Sequence, residues 1–96
     1  MNDVTEPWQK VGADLFQING KEYLIVIAYY SNYPEVALWS SRTAEVVITH
    51  MKSIFGRHGI PSCLVTDNGP QFVNIKFKQF EARYGFEHIL SSPYFA

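Results

Sequence analysis

The dipeptide Asn19-Gly20 constrains the fold most, because it stands between two strand-like runs of the chain. Asn-Gly between two such runs is typical of the tight turn of a β-hairpin. Val11 to Ile18 precedes the turn and Glu22 to Tyr30 follows it. The second run is almost continuously apolar, as expected for a central strand buried on both faces of a sheet. The sequence therefore predicts a hairpin at the start of the fold.

A third strand is predicted close behind this hairpin. Ser31 to Pro34 has the composition of a turn, and Glu35 to Trp39 has that of a strand. Because all three strands are joined by short connections, we expect them to form an antiparallel meander.

The apolar period then becomes helical. Thr43 is a good N-cap with Glu45 in the first turn, and Gly59 followed by Pro61 is a typical helix end. The apolar residues between them fall on one helical stripe: Ala44, Val47, Ile48, Met51, Ile54 and Phe55.

The rest of the chain again alternates between strand-like and helix-like apolar patterns. Ser62 to Thr66 is a short strand-like run, and Phe86 to Leu90 is another, ended by Ser91-Ser92-Pro93. Between them lies a second helix pattern that Gly85 can end. Its apolar face is predicted to carry Val73, Phe77, Phe80 and Tyr84. The predicted order is β-β-β-α-β-α-β, an α/β fold with a mixed sheet and helices packed on it.

Length and composition limit the class of protein. A chain of 96 residues is expected to hold one domain, which we place at 10–96 after a tail or linker at 1–9. Eight basic and nine acidic residues argue against nucleic-acid binding through a basic surface alone. The single cysteine, Cys63, is expected to be a core residue in a reducing, intracellular setting. The longest apolar run has eight residues, so no membrane contact is expected.

Two acids stand at sheet positions where acids are disfavoured. Asp14 lies inside the first predicted strand, on the face of Gly12, Phe16 and Ile18, and Asp67 ends the fourth. If these strands are neighbours, the carboxylates can share a Mg²⁺ or Mn²⁺ ion that relieves their repulsion. Taken alone, Asp67 before Asn-Gly-Pro is more often a turn residue, and Asp14 is equally interpretable as an edge-strand acid facing water.

Four stretches together carry a family resemblance: PWQKVGADLF, KEYLIVIAYYSNYPEVALWSS, FGRHGIPSCLVTDNGPQF and FKQFEARYGFEHILSSPYF. They resemble the integrase catalytic core of long-terminal-repeat retrotransposons and retroviruses, especially the Ty3/gypsy type. The resemblance runs from about Pro7 to Phe95, and HGIP followed by a strand and TDNGPQF is its most specific part. It implies an RNase H-like fold and a two-metal polynucleotidyl transferase that trims DNA ends and joins them to target DNA.

The resemblance also implies roles for single residues. Asp14 and Asp67 match two of the family's three metal-binding acids, with Mg²⁺ or Mn²⁺ as cofactor. Asn68 and Gln71 lie beside the second acid, where their amides can reach DNA. Tyr94 matches the start of a loop in which an aromatic ring can stack on DNA. Local turn hydrogen bonding is an equal alternative for Asn68.

The third acid of the family, a glutamate, is expected beyond Ala96. The sequence is therefore predicted to be a C-terminally truncated core with little or no strand-transfer activity by itself. The alternative is a non-catalytic remnant, or a domesticated module for nucleic-acid binding or self-association. DNA is the expected partner, a homo-oligomer is possible, and the nucleus is the expected location for a full integrase. The three histidines, His50, His58 and His88, are interpreted as ordinary helix or strand residues, and Trp8 and Trp39 as packing residues.

Overall fold

The computed structural model describes residues 8–29, 34–39 and 43–91. Its elements are β1 (Lys10–Ile18), β2 (Lys21–Ala28), β3 (Pro34–Trp39), α1 (Ala44–His58), β4 (Cys63–Thr66), α2 (Ile75–Tyr84) and β5 (Glu87–Leu90). The predicted order β-β-β-α-β-α-β is confirmed. None of the helices in these ranges is long and apolar enough to cross a membrane.

The first three strands form the predicted antiparallel meander. β1 and β2 pair from Val11 opposite Ala28 to Ile18 opposite Lys21, so only two residues connect them. Those residues, Asn19 and Gly20, have positive φ angles of 51° and 77°, as the tight turn requires. β3 pairs antiparallel with β2. Of the predicted turn at 31–34, residues 31–33 lie outside the described ranges.

The helices serve as crossovers that make the rest of the sheet parallel. The strand order is β3-β2-β1-β4-β5. The chain passes from the meander through α1 to β4, which pairs parallel with β1, and through α2 to β5, which pairs parallel with β4. The carboxyl ends of β1, β4 and β5 therefore point in the same direction, toward one end of the sheet.

The first helix begins and ends where the sequence predicts. The Thr43 hydroxyl accepts the backbone N–H of Val46, and Gly59 ends the helix with a φ of 98°. Glu45 in the first turn lies 3.4 Å from the Lys76 ammonium of α2. Backbone hydrogen bonding and this cation lower the pKa of Glu45.

The second helix begins later than its apolar pattern predicts. Asn74 caps it by accepting the backbone N–H of Phe77 at 2.8 Å. Val73 therefore precedes the helix in a turn, half of its surface is exposed, and its predicted place on the apolar face is wrong. Gly85 ends the helix in the left-handed conformation, as predicted.

The core lies between the two helices and one face of the sheet. The buried strand side chains alternate along β1, β2 and β4, and they form one cluster with the apolar faces of α1 and α2. Phe55, Phe77, Phe80 and Phe86 stack or meet edge to face at the centre of this cluster. We call this side of the sheet the packed face.

The opposite side of the sheet, which we call the open face, differs from the prediction. β2 was expected to be buried on both faces, but Ile25 and Ile27 are only half-buried, as are Gly12 and Val65 on the neighbouring strands. The prediction is wrong for the described residues because both helices pack on the other face.

Residues at the sheet's ends complete the packing. Trp8 is half-buried, stacks on His58 at a ring-centroid distance of 4.6 Å and donates its indole N–H to the carbonyl of Gly59. Trp8 is thus a packing residue, as predicted. The side chain of Trp39 lies outside the described part. Cys63 is half-buried rather than fully buried, and this burial raises the pKa of its thiol.

Candidate metal centre beside β1 and the end of β4

The parallel pairing of β1 and β4 brings the two predicted acids to the same level of the sheet. The register pairs Val11 with Leu64 and Gly12 with Val65. Two positions beyond this last pair, Asp14 lies within β1 and Asp67 directly follows the end of β4. By strand alternation Asp14 shares the open face with Gly12, and Asp67 lines the same cleft. The sequence condition for a shared site, that strands one and four be neighbours, is met.

Asp14 is an exposed acid within a paired strand. It lies opposite Ile25 of β2 on the other side from β4, so it is not an edge residue. One of its carboxylate oxygens, Oδ1, accepts the backbone N–H of Leu15 at 2.9 Å. This hydrogen bond limits the directions in which the carboxylate can point.

Asp67 is held by the turn that follows it. Its Oδ1 accepts the backbone N–H of Gly69 at 2.9 Å, which is the local bond expected of an aspartate in a turn. A side chain at Gly69 would place its Cβ 3.1 Å from both Asp67 Oδ1 and Gln71 Oε1, so glycine lets the turn close tightly. The turn interpretation and the metal interpretation are thus compatible, because the turn orients the same carboxylate.

An open cleft contains both carboxylates. Its volume is about 490 Å³, and its walls include Gly12, Ile25, Ile27 and Val65 from the open face. Within the described ranges, no third His, Cys, Asp or Glu completes a cluster able to hold a metal ion. The cleft therefore offers two carboxylates and room for a ligand beside them.

The donor set fits a hard divalent cation. Carboxylate oxygens suit Mg²⁺ and Mn²⁺, and Mg²⁺ is commonly bound through one or two carboxylates together with water and substrate phosphates. The hydrogen bonds from Leu15 and Gly69 each use one oxygen of a carboxylate, so the second oxygen of each remains available within the described part.

The predicted DNA-contacting residues have different surroundings. Asn68 is exposed directly after Asp67, whereas Gln71 is half-buried in the turn with its amide oxygen beside Gly69. Tyr94 lies outside the described residues.

The contact between Thr66, the residue before Asp67, and His88 was not predicted from the sequence. His88, interpreted as an ordinary strand residue, lies with its Nε2 2.7 Å from the Thr66 hydroxyl. In the parallel pairing of β4 with β5 His88 lies opposite Leu64, and its ring contacts Thr66 farther along β4, 22 positions earlier in sequence. The only sequence signal was that Thr66, a polar residue, stands at a position of β4 where the alternation of side chains gives burial.

Comparison with known proteins decides the family. A family model of the integrase core domain matches residues 4–95. The chain belongs to the integrase core domain family. Members of this family generally depend on divalent metal ions.

Individual relatives agree with this assignment. An uncharacterized protein of Caenorhabditis elegans is 33% identical over 90 residues, which are 93% of this chain and 7% of that protein. The Gag-Pro-Pol polyprotein of Mason-Pfizer monkey virus is 30% identical over 88 residues, or 91% of this chain and 5% of the polyprotein. This chain thus spans only a small part of the length of these relatives.

Solved structures show that the fold is shared. The catalytic core domain of BIV integrase superposes with a TM-score of 0.83 at 20% identity, covering 91% of this chain and 57% of that one. A chain of the simian T-cell lymphotropic virus intasome gives the same TM-score and identity, covering 92% of this chain and 33% of its own length. The predicted RNase H-like fold is confirmed.

Proposed function

We propose that this integrase core domain is the metal-binding part of a polynucleotidyl transferase that processes DNA 3′ ends and joins them to target DNA. The observation that carries the proposal is the parallel pairing of β1 and β4, which places Asp14 and Asp67 in one cleft on the open face. Membership of the integrase core family supports the reaction class.

In this proposal Asp14 and Asp67 hold the divalent ions. When bound, Mg²⁺ or Mn²⁺ would activate the attacking oxygen and stabilise the leaving oxygen of an in-line displacement at phosphorus. The attacking oxygen comes from water when DNA ends are trimmed and from the DNA 3′-hydroxyl when they are joined. A new P–O bond forms as the bond to the old 3′ oxygen breaks, and that oxygen takes up a proton. The protein's own contribution is to orient the two carboxylates through the N–H groups of Leu15 and Gly69.

DNA is the proposed partner, and the residues around Asp67 are proposed to touch it. Asn68 is exposed and can donate its amide N–H to a phosphate or a base edge. Gln71 reaches the same turn, and Tyr94 keeps its proposed stacking role. With a net charge of −1, the chain is expected to depend on bound metal for much of its affinity for phosphates. The proposed site of action is intracellular, in the nucleus when the chain is part of a full integrase.

Calorimetric titration of the purified chain with Mg²⁺ and with Mn²⁺ tests the proposal. Wild type is expected to show saturable binding, and both Asp14→Asn and Asp67→Asn are expected to lose it, because each removes a charged ligand. Glu87→Gln is the matched control, since it removes an exposed acid of β5 that does not line the cleft. Equal binding by wild type and both aspartate variants would contradict the proposal.

A second candidate function is a non-catalytic module for nucleic-acid binding or self-association. The observation that favours it is that two acids are joined by no third metal-binding side chain in the described part of the chain. DNA binding that persists in Asp14→Asn and Asp67→Asn without divalent ions would support this candidate. Sedimentation of the same samples would show whether the chain self-associates.

A further inference from the structure

Thr66 is the buried polar side chain directly before Asp67. It is the last residue of β4, only 2% of its surface is exposed, and its side chain points toward the packed face. Its hydroxyl donates to the carbonyl oxygen of Asp67 at 2.9 Å. The Thr66 hydroxyl therefore restrains the backbone of Asp67 from the packed-face side of the sheet. The Gly69 N–H restrains the carboxylate of the same residue.

The second contact of this hydroxyl assigns a role to His88. The Nε2 atom of His88 lies 2.7 Å from Thr66 Oγ1. A hydroxyl has one hydrogen, so when the Thr66 hydroxyl donates to Asp67 its oxygen accepts from His88. In this arrangement the imidazole is the tautomer that carries a proton on Nε2. The result is a chain of hydrogen bonds from the imidazole through the hydroxyl to the backbone of Asp67.

Several contacts hold the imidazole in this position. The backbone N–H of His88 donates to the Glu81 carboxylate of α2 at 2.9 Å, and the ring lies 4.9 Å from the ring of Phe77. The carbonyl of Thr66 accepts both the backbone N–H and the hydroxyl of Ser91, at 2.8 and 3.2 Å. These bonds tie the end of β4 to β5 and to α2 at the level of the cleft.

We infer that His88, acting through the Thr66 hydroxyl, is a positioning residue that orients Asp67 for metal binding. The inference rests on the proposed function, because it takes Asp67 as a metal ligand. Outer-shell partners of this kind fix the direction of a ligand, and losing them weakens metal binding even though they never touch the ion. A purely structural role for His88 would instead affect folding alone.

A double-mutant cycle on Mn²⁺ affinity separates these roles. His88→Phe keeps a ring against Phe77 but removes the N–H, and Thr66→Val keeps the side-chain shape but removes the hydroxyl. Each variant is expected to bind Mn²⁺ about tenfold more weakly than wild type, the lower end of what outer-shell partners contribute. The double variant is expected to bind no more weakly than either single variant, because both act through one hydrogen-bonded chain.

Conservative variants separate the loss of a hydrogen bond from the loss of side-chain shape. They also provide a test if His88→Phe or Thr66→Val does not fold. His88→Gln retains a side-chain N–H and is expected to bind Mn²⁺ more tightly than His88→Met, which has a similar shape without a donor. Thr66→Ser retains the hydroxyl and is expected to keep most of the affinity. Thermal unfolding of each variant ensures that the titrations compare folded protein.

The outcomes are distinguishable from failure of the metal site itself. If Asp67→Asn loses Mn²⁺ binding while His88→Phe, His88→Met and Thr66→Val lower only the melting temperature, the role of His88 is refuted and the metal site stands. Additive losses in the cycle would also refute it. If Asp67→Asn binds Mn²⁺ like wild type, the proposed function fails first and the inference falls with it.

Discussion

The two faces of the sheet differ in what covers them. On the packed face, Leu24, Leu64 and Val26 are fully buried against α1 and α2. On the open face, Ile25 and Val65 are half-buried and line the cleft that holds Asp14 and Asp67. Alternate residues of the same strands therefore have different roles: one set forms the core and the other lines the cleft.

The two faces are therefore expected to contribute differently to folding stability and to metal binding. Apolar burial is the main favourable term in folding, so the packed face is expected to carry most of the stability of the described part. Charged side chains are costly to bury, and the open face allows both carboxylates to stay hydrated. Substitutions on the packed face should reduce stability, and those of the two acids should reduce metal binding.

The largest expected effect is on the packed face. Phe77 is fully buried and meets Phe72, Phe80 and His88 at ring distances of 4.9 to 5.5 Å. Phe77→Ala is expected to cost about 3–5 kcal/mol of unfolding free energy, because it removes a large buried side chain and leaves a cavity. Urea denaturation measures the loss. Ile25→Ala on the open face is the matched comparison, and an equal loss there would remove the distinction between the faces.

A smaller effect is expected at the start of α2, which follows the turn after Asp67. Asn74 caps α2, and its amide also donates to the carbonyls of Pro70 and Gln71 at 2.7 and 3.0 Å. Asn74→Ala is expected to cost about 1 kcal/mol, the typical loss of an N-cap side chain, in the same denaturation assay. Asn68→Ala serves as control, with a change expected to stay within about 0.5 kcal/mol, as for exposed sites. Equal losses at both positions would show that capping is not the cause.

The smallest effect is a pH dependence of stability from His88. Burial lowers the pKa of its imidazole below 6.5, and the cation of Lys78 lowers it further, while the carboxylate of Glu81 opposes both. The unfolded state then binds the proton more readily than the folded state. Stability from this group is complete above pH 6.5 and declines as pH falls through 6.5 toward the lower folded value.

Denaturation midpoints above and below pH 6.5 test this dependence. His88→Gln is expected to flatten the decline, and His50→Gln, which removes a histidine of α1, is expected to leave it. A decline that is the same in wild type and His88→Gln would assign it to other groups.

Much of the fold could be predicted because local signals agree with the global arrangement. Asn19-Gly20 determined a two-residue turn, and Thr43 and Gly85 marked helix ends, since each satisfies a backbone requirement of its own neighbourhood. Asp14 and Asp67 were proposed as site residues from the sequence because acids are unusual at strand positions, and they remain a prediction. Their side-by-side placement needed the register of β1 and β4, which no local pattern states.

The misses have a common physical origin in tertiary packing. The apolar run of β2 suggested burial on both faces, yet only the positions of the helices decide which face is covered. Val73 continued an apolar pattern that Asn74 interrupts by capping the helix one residue later. His88 gained its contact with Thr66 only through the pairing of β4 with β5. Each of these features depends on residues distant in sequence.

The central claim is that a metal site lies on the open face, beside Asp14 of β1 and at the end of β4. Mn²⁺-induced broadening of backbone amide signals in NMR spectra of the chain tests this claim most directly. Broadening is expected to centre on the amides of Gly12, Asp14, Asp67 and Gly69, while the signals of α1 stay sharp. In Asp67→Asn the broadened signals are expected to recover. Broadening centred on Glu45 and α1, or broadening unchanged in Asp67→Asn, would contradict the claim.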